Sequence, residues 1–308
     1  MVENRPVENP ALAVSARLSS LDDHELADRV RQAAAHGAGI GGRSATLDVD
    51  GTPVFVKRVP VTDLEMRPEH VRSTRNLFDL PAFYHYGLGS TGFGAWRELA
   101  VHLMTTGWVR AGDYVGFPLL LHWRVIPDSP PEGFADEFGG IDGAVAHWRG
   151  SPAVRARLEA IGRASYSLVL FLEHIPYTLG EWLTEEARFA WAERELVRGC
   201  DFMSSRGLVH FDAHFRNVLT DDETLRFADF GLALSSQFEL SPAETEFHSA
   251  HLRYDHDYTA GSLVREIRRI WKGELPPGVA AIHDRHARTA RVQDDFHRRL
   301  LAPTTEVS

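Results

Sequence analysis

Three side chains able to bind a hard cation or accept a proton lie within 18 residues: Asp212, Asn217 and Asp229, in HFDAHFRNVLTDDETLRFADFG. Val209, Val218, Leu219, Leu225 and Phe227 frame them, in a pattern of two short strands with a turn between. A carboxylate beside a hydroxyl can orient it and take its proton. Carboxylate and amide oxygens also suit Mg²⁺, which completes its shell with waters and substrate phosphates. Together these groups suit phosphoryl transfer to a hydroxyl.

Phosphates need further donors. Gly37-Ala-Gly39-Ile-Gly41-Gly42 fits G-x-G-x-x-G through Gly37, Gly39 and Gly42. Glycines let amide N–H groups close on phosphate oxygens without a Cβ in the way. Gly87-Leu-Gly89-Ser-Thr-Gly92 fits the same pattern, so at least one of the two does something else. The first is followed by SATLDV, the turn Asp50-Gly51 and PVFVKRV, a hairpin signature that carries Lys57. Flanked by Val54, Val56 and Val59, Lys57 is expected to point away from these apolar neighbours. Upstream, Ser20-Leu-Asp-Asp23 reads as a cap. The helix after it, with Leu26, Val30 and Ala33 on one face, is expected to run almost up to Gly37.

The remaining elements must position these groups. Residues 1–18 are weakly patterned and expected to be loosely ordered, apart from packing by Leu12 and Val14. Residues 60–94 are loop-rich. Trp96, Leu99, Leu103 and Met104 mark one face of a helix, with Glu98 near its start. Residues 118–125 and 166–173 are strand-like. Between them, 126–150 is acidic and Pro/Gly-rich and reads as a surface insertion, followed by a helix to about Ala164. A helix over 181–206 presents Phe189, Leu196, Cys200 and Met203 on one face and stops at Gly207. Residues 232–247 show no period and read as a loop, and helices over 258–271 and 277–300 follow.

The chain has 308 residues, 44% hydrophobic and 25% charged, enough core for one large domain or two small lobes. A net charge of −10 argues against a general nucleic-acid-binding surface. A single cysteine, Cys200, rules out an internal disulfide and fits a reducing compartment. Met1–Ala11 lacks the apolar core of a secretory signal, and no apolar run approaches the roughly 20 residues of a membrane span. A cytoplasmic protein without membrane attachment is therefore expected. Nothing in the sequence reports on oligomeric state.

HFDAHFRN carries Asp212 and Asn217 at the spacing of the kinase catalytic loop H-R-D-L-x-x-x-N. Asp229-Phe230-Gly231 is D-F-G, and Val54-Phe-Val-Lys57 is close to V-A-I-K. In this order, across residues 37–231, the chain resembles the protein-kinase-like superfamily over about two thirds of its length. The resemblance implies an α+β, two-lobed kinase-like fold. Residues 1–173 would form an antiparallel sheet with a helix, bearing insertions at about 58–94 and 126–165, and residues 174–308 a mainly helical lobe. ATP and Mg²⁺ would be the cofactors. Asp212 would be the base, Asn217 and Asp229 the metal ligands, and Gly37, Gly39 and Gly42 the cover over the phosphates. Lys57 would grip those phosphates, held by a helix glutamate, for which Glu98 is preferred over the rivals Glu65 and Glu69. Backbone groups at Glu173 and Ile175 would hold adenine. Kinases carry a strand before the glycine loop, where this chain reads as helix.

Other positions depart from the family pattern. Phe211 stands where many protein kinases carry an arginine that pairs with a phosphorylated activation loop, which implies that this switch is absent. His214 resembles the aminoglycoside-phosphotransferase and choline-kinase branch, H-G-D-L-H-x-x-N, and joins the catalytic candidates as a contact to γ-phosphate or substrate. ADFGLA is closer to Ser/Thr protein kinases. Ser241-Pro-Ala-Glu244 is a poor counterpart of A-P-E. The expected activity is ATP- and Mg²⁺-dependent phosphotransfer to Ser or Thr of a protein or peptide. A small-molecule acceptor of the aminoglycoside type is one alternative, and a catalytically silent nucleotide-binding pseudokinase is another. The intact Lys57, Asp212, Asn217 and Asp229 disfavour the latter.

Overall fold

The computed structural model describes residues 10–39, 42–87, 89–129 and 132–301. Two helices, α1 (Pro10–Ser20) and α2 (Asp23–Gln32), precede a hairpin of β1 (Ala34–Gly39) and β2 (Gly42–Val49), then β3 (Thr52–Val61). A long segment with a 3-10 helix at Ala82–Tyr86 leads to α3 (Ala95–Ala111) and β4 (Leu120–Pro127). A second long segment holds α4 (Ile141–His147) and α5 (Pro152–Ile161) and returns to β5 (Tyr166–Glu173). The five strands form one antiparallel sheet in the order β1-β2-β3-β5-β4.

Side chains alternate across a strand, and the sheet buries both faces. Val54 and Val56 join Val169 and Phe171 under α1 and α2, through Val14, Leu18, Leu26 and Val30. Val59, Val61, Leu168 and Leu170 face Trp96 and Leu99 of α3. Lys57 therefore points opposite Val54 and Val56, as expected, but Val59, two residues on, shares its face. Helix α1 corrects the loose N-terminus expected up to residue 18. From Pro10 onward the chain is helical, with Val14 and Leu18 buried and Leu12 61% exposed. Its apolar pattern is weak, and packing on the sheet decides it.

The helix before the glycines also differs from expectation. Its N-cap is Asp22, in a capping box with Glu25, two residues beyond Ser20. It ends at Gln32, Ala33 is extended, and a strand follows. Alanines at 33–35 favour helix locally, but pairing of Ala34 with Thr46 and Ala35 with Ala45 prevails.

The rest is mainly helical. After the short β6 (Tyr177–Thr178) come α6 (Leu179–Trp182) and α7 (Glu186–Ser205), a break where one continuous helix was expected. Strands β7 (Leu208–Val209), β8 (Val218–Thr220), β9 (Leu225–Phe227) and β10 (Leu234–Ser235) carry the His210–Gly231 stretch. Pairs β6-β8-β9 and β7-β10 hold it against the helices. Residues 232–247 are not one loop: besides β10 they start α8 (Pro242–His251), with Ser241 and Glu244 in a capping box. Helices α9 (Tyr254–Ile270) and α10 (Pro277–Leu301) follow. Phe189, Leu196, Cys200 and Met203 all enter the large core, and the Cys200 thiol is free and buried. The fold is thus α+β and two-lobed, as the resemblance implied.

The two insertions are not independent surface loops. Leu80, Tyr84 and Phe93 from the first share a core with Ala144, Val145, Trp148, Val154 and Leu158 from the second. Arg157 and Glu65 seal it with a fully buried ion pair at 2.7 Å. Among the described residues no helix is long and apolar enough to cross a membrane.

Candidate active site

Lys57 is placed by register: on β3 it pairs with Ser44 of β2 and Leu170 of β5, near the sheet centre. Its Nζ donates to Glu98 Oε1 at 2.6 Å and to Asp229 Oδ1 at 2.8 Å. Of the three glutamates considered, Glu98 is the partner. Glu65 instead caps α3: its Oε1 accepts from Ala95 N at 2.9 Å and its Oε2 from Arg157. Trp96 Nε1 donates to the Glu65 carbonyl at 2.9 Å, which fixes the first turn of α3 and so the height of Glu98. Burial alone would lower the Lys57 pKa, but the two carboxylates raise it above its ordinary value. Burial likewise would raise Asp229, yet Lys57 holds it down at about 2. Glu98 is pushed up by its own burial.

The loop bearing Asp212 is tied at several points. His210 Nε2 donates to the Ala228 carbonyl at 2.9 Å, which leaves Nδ1 to accept from Asp212 N at 3.3 Å. Asp255 on α9 accepts from the amides of His210 (2.7 Å) and Phe211 (3.0 Å). Asn217 Nδ2 donates to Asp212 Oδ2 at 3.0 Å and to the Asp212 carbonyl at 3.1 Å. That leaves the Asn217 amide oxygen and one Asp229 oxygen for a cation, a donor set that fits Mg²⁺, which needs few protein ligands beside substrate phosphates. Burial, then the nearby Asp229 charge, pushes Asp212 up to about 7. His214 Nε2 lies 3.7 Å from Asp212 Oδ2, and burial followed by Arg216 lowers its pKa. Phe211 and Asp229 both have φ near +64°, a left-handed backbone costing other residues of order 1–3 kcal/mol. Such strain gathers where surrounding structure must hold a functional geometry.

Two cavities meet at Lys57, Arg216, Asn217 and Asp229. One, of about 420 Å³, is lined by His36, Phe55, Pro118, Leu172, Glu173 and Ile175 among others. The other, of about 490 Å³, holds Asp212, His214 and Glu98 and is walled by Gly87, Gly89, Ser90, Thr91 and Gly92. Glu173 and Ile175 therefore stand on the same cleft as Lys57, with Glu173 N bonded to the Leu119 carbonyl at 2.9 Å. Gly37 and Gly39 lie in β1, where Gly39 pairs with Gly42. The hairpin turn at 40–41 falls outside the described residues. Gly42 has φ +132° and a Cβ there would lie 2.4 Å from the Arg58 carbonyl oxygen, so its lack of a side chain serves strand approach.

The second glycine pattern is at the site but is not a phosphate cradle. Ser90 N donates to the Gly87 carbonyl, Thr91 N to Tyr84 Oη and Gly92 N to Ser90 Oγ, so these three amides are already engaged within the protein. A Cβ on Gly92 would sit 2.3 Å from the Gly231 carbonyl oxygen, and one on Gly89 2.1 Å from the Phe138 ring. The loop is a wall pressed on D-F-G. Sequence reasoning missed this role, and it missed Asp255 and the capping role of Glu65. The only signal for Asp255 is an acidic residue on the inward stripe of α9, one turn before Thr259 and two before Leu263. It also missed His102, one turn after Glu98 and edge-on to Phe230 at 5.0 Å. His102 lines the smaller cavity, and among the described residues neither of its buried ring nitrogens has a partner.

No family model matches the chain. A stretch of 40 residues, 13% of the chain, is 48% identical to the tyrosine kinase receptor Cad96Ca of Drosophila melanogaster. The matched stretch spans 5% of that receptor's length. The similarity to a kinase is thus local.

Proposed function

We propose that this protein is a Mg²⁺- and ATP-dependent phosphotransferase acting on a hydroxyl. The observation that carries the reading is the bridge from Lys57 Nζ to both Glu98 and Asp229, beside Asp212 at the junction of two cavities. ATP would lie with adenine toward Glu173 and Ile175 and its phosphates toward Lys57. Mg²⁺ held by Asn217 and Asp229 would neutralise charge building on the phosphates. Asp212 orients the acceptor hydroxyl and takes its proton as the new O–P bond forms and the bridging Pγ–O bond of ATP breaks, releasing ADP. The ring of Phe55 and the stacked His36 (6.5 Å) offer an apolar face to a base.

Of the acceptors considered, a small molecule is favoured over a polypeptide. An extended peptide docks by pairing with free backbone groups, and the segment after D-F-G has spent many of its own. The Leu232 carbonyl bonds His85 Nδ1, Leu234 and Ser235 pair with β7, Ser236 N donates to Gly207, and Glu239 N to Thr74 Oγ1. The wall at 87–92 encloses a space within the range of small-molecule sites, about 300–1,000 Å³. The test is γ-labelled ATP with a cell extract and the purified chain. Label should appear in small molecules, require Mg²⁺, and vanish in Asp212→Asn. Undiminished transfer by that variant would overturn the reading.

A further inference from the structure

The acceptor cavity adjoins a third space of about 300 Å³. The two share His214, Arg216 and Tyr258, and the extension adds Ser262, Arg265 and Glu266. Two guanidiniums and a phenol bring hydrogen-bond donors to its lining, while the Ser262 hydroxyl donates to the Tyr258 carbonyl at 2.9 Å. Among the described residues Arg216 forms no salt bridge, though it is the residue that lines all three cavities. Arg265 lies over the Tyr258 ring at 5.8 Å and donates to Ser262 Oγ at 2.9 Å. Its carboxylate neighbour, Asp294, is at 3.3 Å on a pair exposed by 38 and 39%, where the attraction is worth little. The acid of this space, Glu266, is engaged by Arg269 at 2.6 Å.

Two guanidiniums lining one cavity, one of them exposed and without a salt bridge, are the usual chemistry for planar recognition of carboxylate or phosphate. Resting on the phosphotransferase reading, we infer that the acceptor is a small hydroxyl compound bearing an oxyanion, carboxylate or phosphate. Its hydroxyl meets Asp212 and its oxyanion enters the space between Arg216 and Arg265. Tyr258 and His214 line the passage between the two ends. Arg265, remote from the nucleotide cleft, sets which acceptors are taken. The opposing candidate is Glu137, an exposed carboxylate that also lines the acceptor cavity and would select a cation.

Saturation-transfer NMR on the full chain with Mg²⁺ and ADP tests this, using glycerol, glycerate, glycerol 3-phosphate and 3-amino-1,2-propanediol as probes. Glycerate or glycerol 3-phosphate should bind about tenfold tighter than glycerol or the amine, and the preferred one of the two tells carboxylate from phosphate. Arg265→Gln should bring the four within about threefold, with Arg265→Lys between. Tightest binding of the amine would assign the site to Glu137 and overturn the inference. So would equal binding of all four, binding of none, or labelling of polypeptides in the extract assay. Failure of the broader reading looks different. Loss of Mg²⁺-dependent ADP binding would sink phosphotransfer, and the anion preference would remain measurable without nucleotide.

Discussion

The Phe211 ring stacks on His85 at 5.0 Å between centroids, joining the loop that bears Asp212 to the first insertion. His85 in turn stacks on Phe93 at 3.8 Å, and Phe211 lies 5.6 Å from Phe247 and 4.9 Å from Tyr254. His85 is fully buried, and burial with the nearby Arg97 charge holds its pKa down to about 3. Burial thus favours its neutral form. Where an arginine would await a phosphate, this chain has built an aromatic core. Phe211→Arg should therefore cost more than about 3 kcal/mol, because it buries an unpaired charge. Phosphatase treatment of the wild type should leave its ATP turnover unchanged. A denaturant midpoint for the variant equal to wild type, or turnover lost on dephosphorylation, would contradict this.

Lys57 and Glu98 stand 41 residues apart and meet at 2.6 Å. Removing one member of a buried pair strands the other, at about 3–5 kcal/mol. Glu98→Ala leaves Lys57 its bond to Asp229 at 2.8 Å, so it should cost less than that, while turnover should fall by at least about tenfold. Lys57→Met leaves Glu98 and Asp229 facing each other, and Mg²⁺-free nucleotide binding should fall further than it does in Glu98→Ala. Titration with a fluorescent ATP analogue would check the order of the two effects.

How much of this was legible varies by residue. Asp212, Asn217, Asp229 and Lys57 lie in short local patterns, and local patterns survive without knowledge of the fold. Glu98 was legible as the preferred of three glutamates, but what sets its rival Glu65 aside, its place at the N-terminus of α3, was not. The helix over 181–206 was right in its buried face but not in its continuity. Asp255 and the wall at 87–92 were not legible as site elements. Each works through contact with a segment far away in sequence, Asp255 with His210 and Gly92 with Gly231. The glycine pattern read as a phosphate cover at 37–42 recurs at 87–92, where it serves close packing.

Asp212 carries a pH signature. Its pKa rises from an ordinary 3.8 to about 7, so the folded state favours the protonated carboxyl. Its stabilising contribution is complete below about pH 4 and is lost as the pH rises through about 7. Asp212→Asn does not titrate, so its stability gain over wild type should be greater at pH 8 than at pH 5, by of order 1–3 kcal/mol. Turnover must run the other way. The base acts ionised, so kcat/KM should climb with pH to a plateau, with an acid limb centred near 7. Chemical denaturation at the two pH values and a pH–rate profile measure the two trends, and a flat profile from pH 5 to 8 would remove Asp212 as the base.

Gly92 offers a test of the wall itself. Its φ is +72°, and an added Cβ would meet the Gly231 carbonyl oxygen at 2.3 Å, backbone against backbone, with no flexible side chain to yield. Gly92→Ala should therefore move either the wall or D-F-G, and turnover should fall by at least about tenfold. Gly112 is the control. It too is left-handed, at φ +75°, but nothing lies within 4 Å of its added Cβ. Gly112→Ala bears the backbone penalty alone, about 1 kcal/mol, and should keep its turnover. Equal turnover in the two variants would mean that the wall does not hold the site.

The buried pair of Arg97 and Glu244 closes the frame from the other side. Arg97 donates to Glu244 Oε1 at 2.7 Å and to the Thr74 carbonyl at 2.7 Å, with its guanidinium over Phe93 and Phe238. Arg97 directly precedes Glu98, so this pair ties α3 to α8 and holds Glu98 over Lys57. Arg97→Met should cost about 3–5 kcal/mol by leaving the buried Glu244 carboxylate without its charge partner, and Glu244→Gln nearly as much. The double variant should cost clearly less than the sum, with a coupling of about 1–3 kcal/mol. Turnover should fall with Arg97→Met even at temperatures where the variant stays folded, because α3 is then free to carry Glu98 away from Lys57. Additive stability losses, or full turnover in folded Arg97→Met, would show that α3 is held by Glu65 and Trp96 without help from α8.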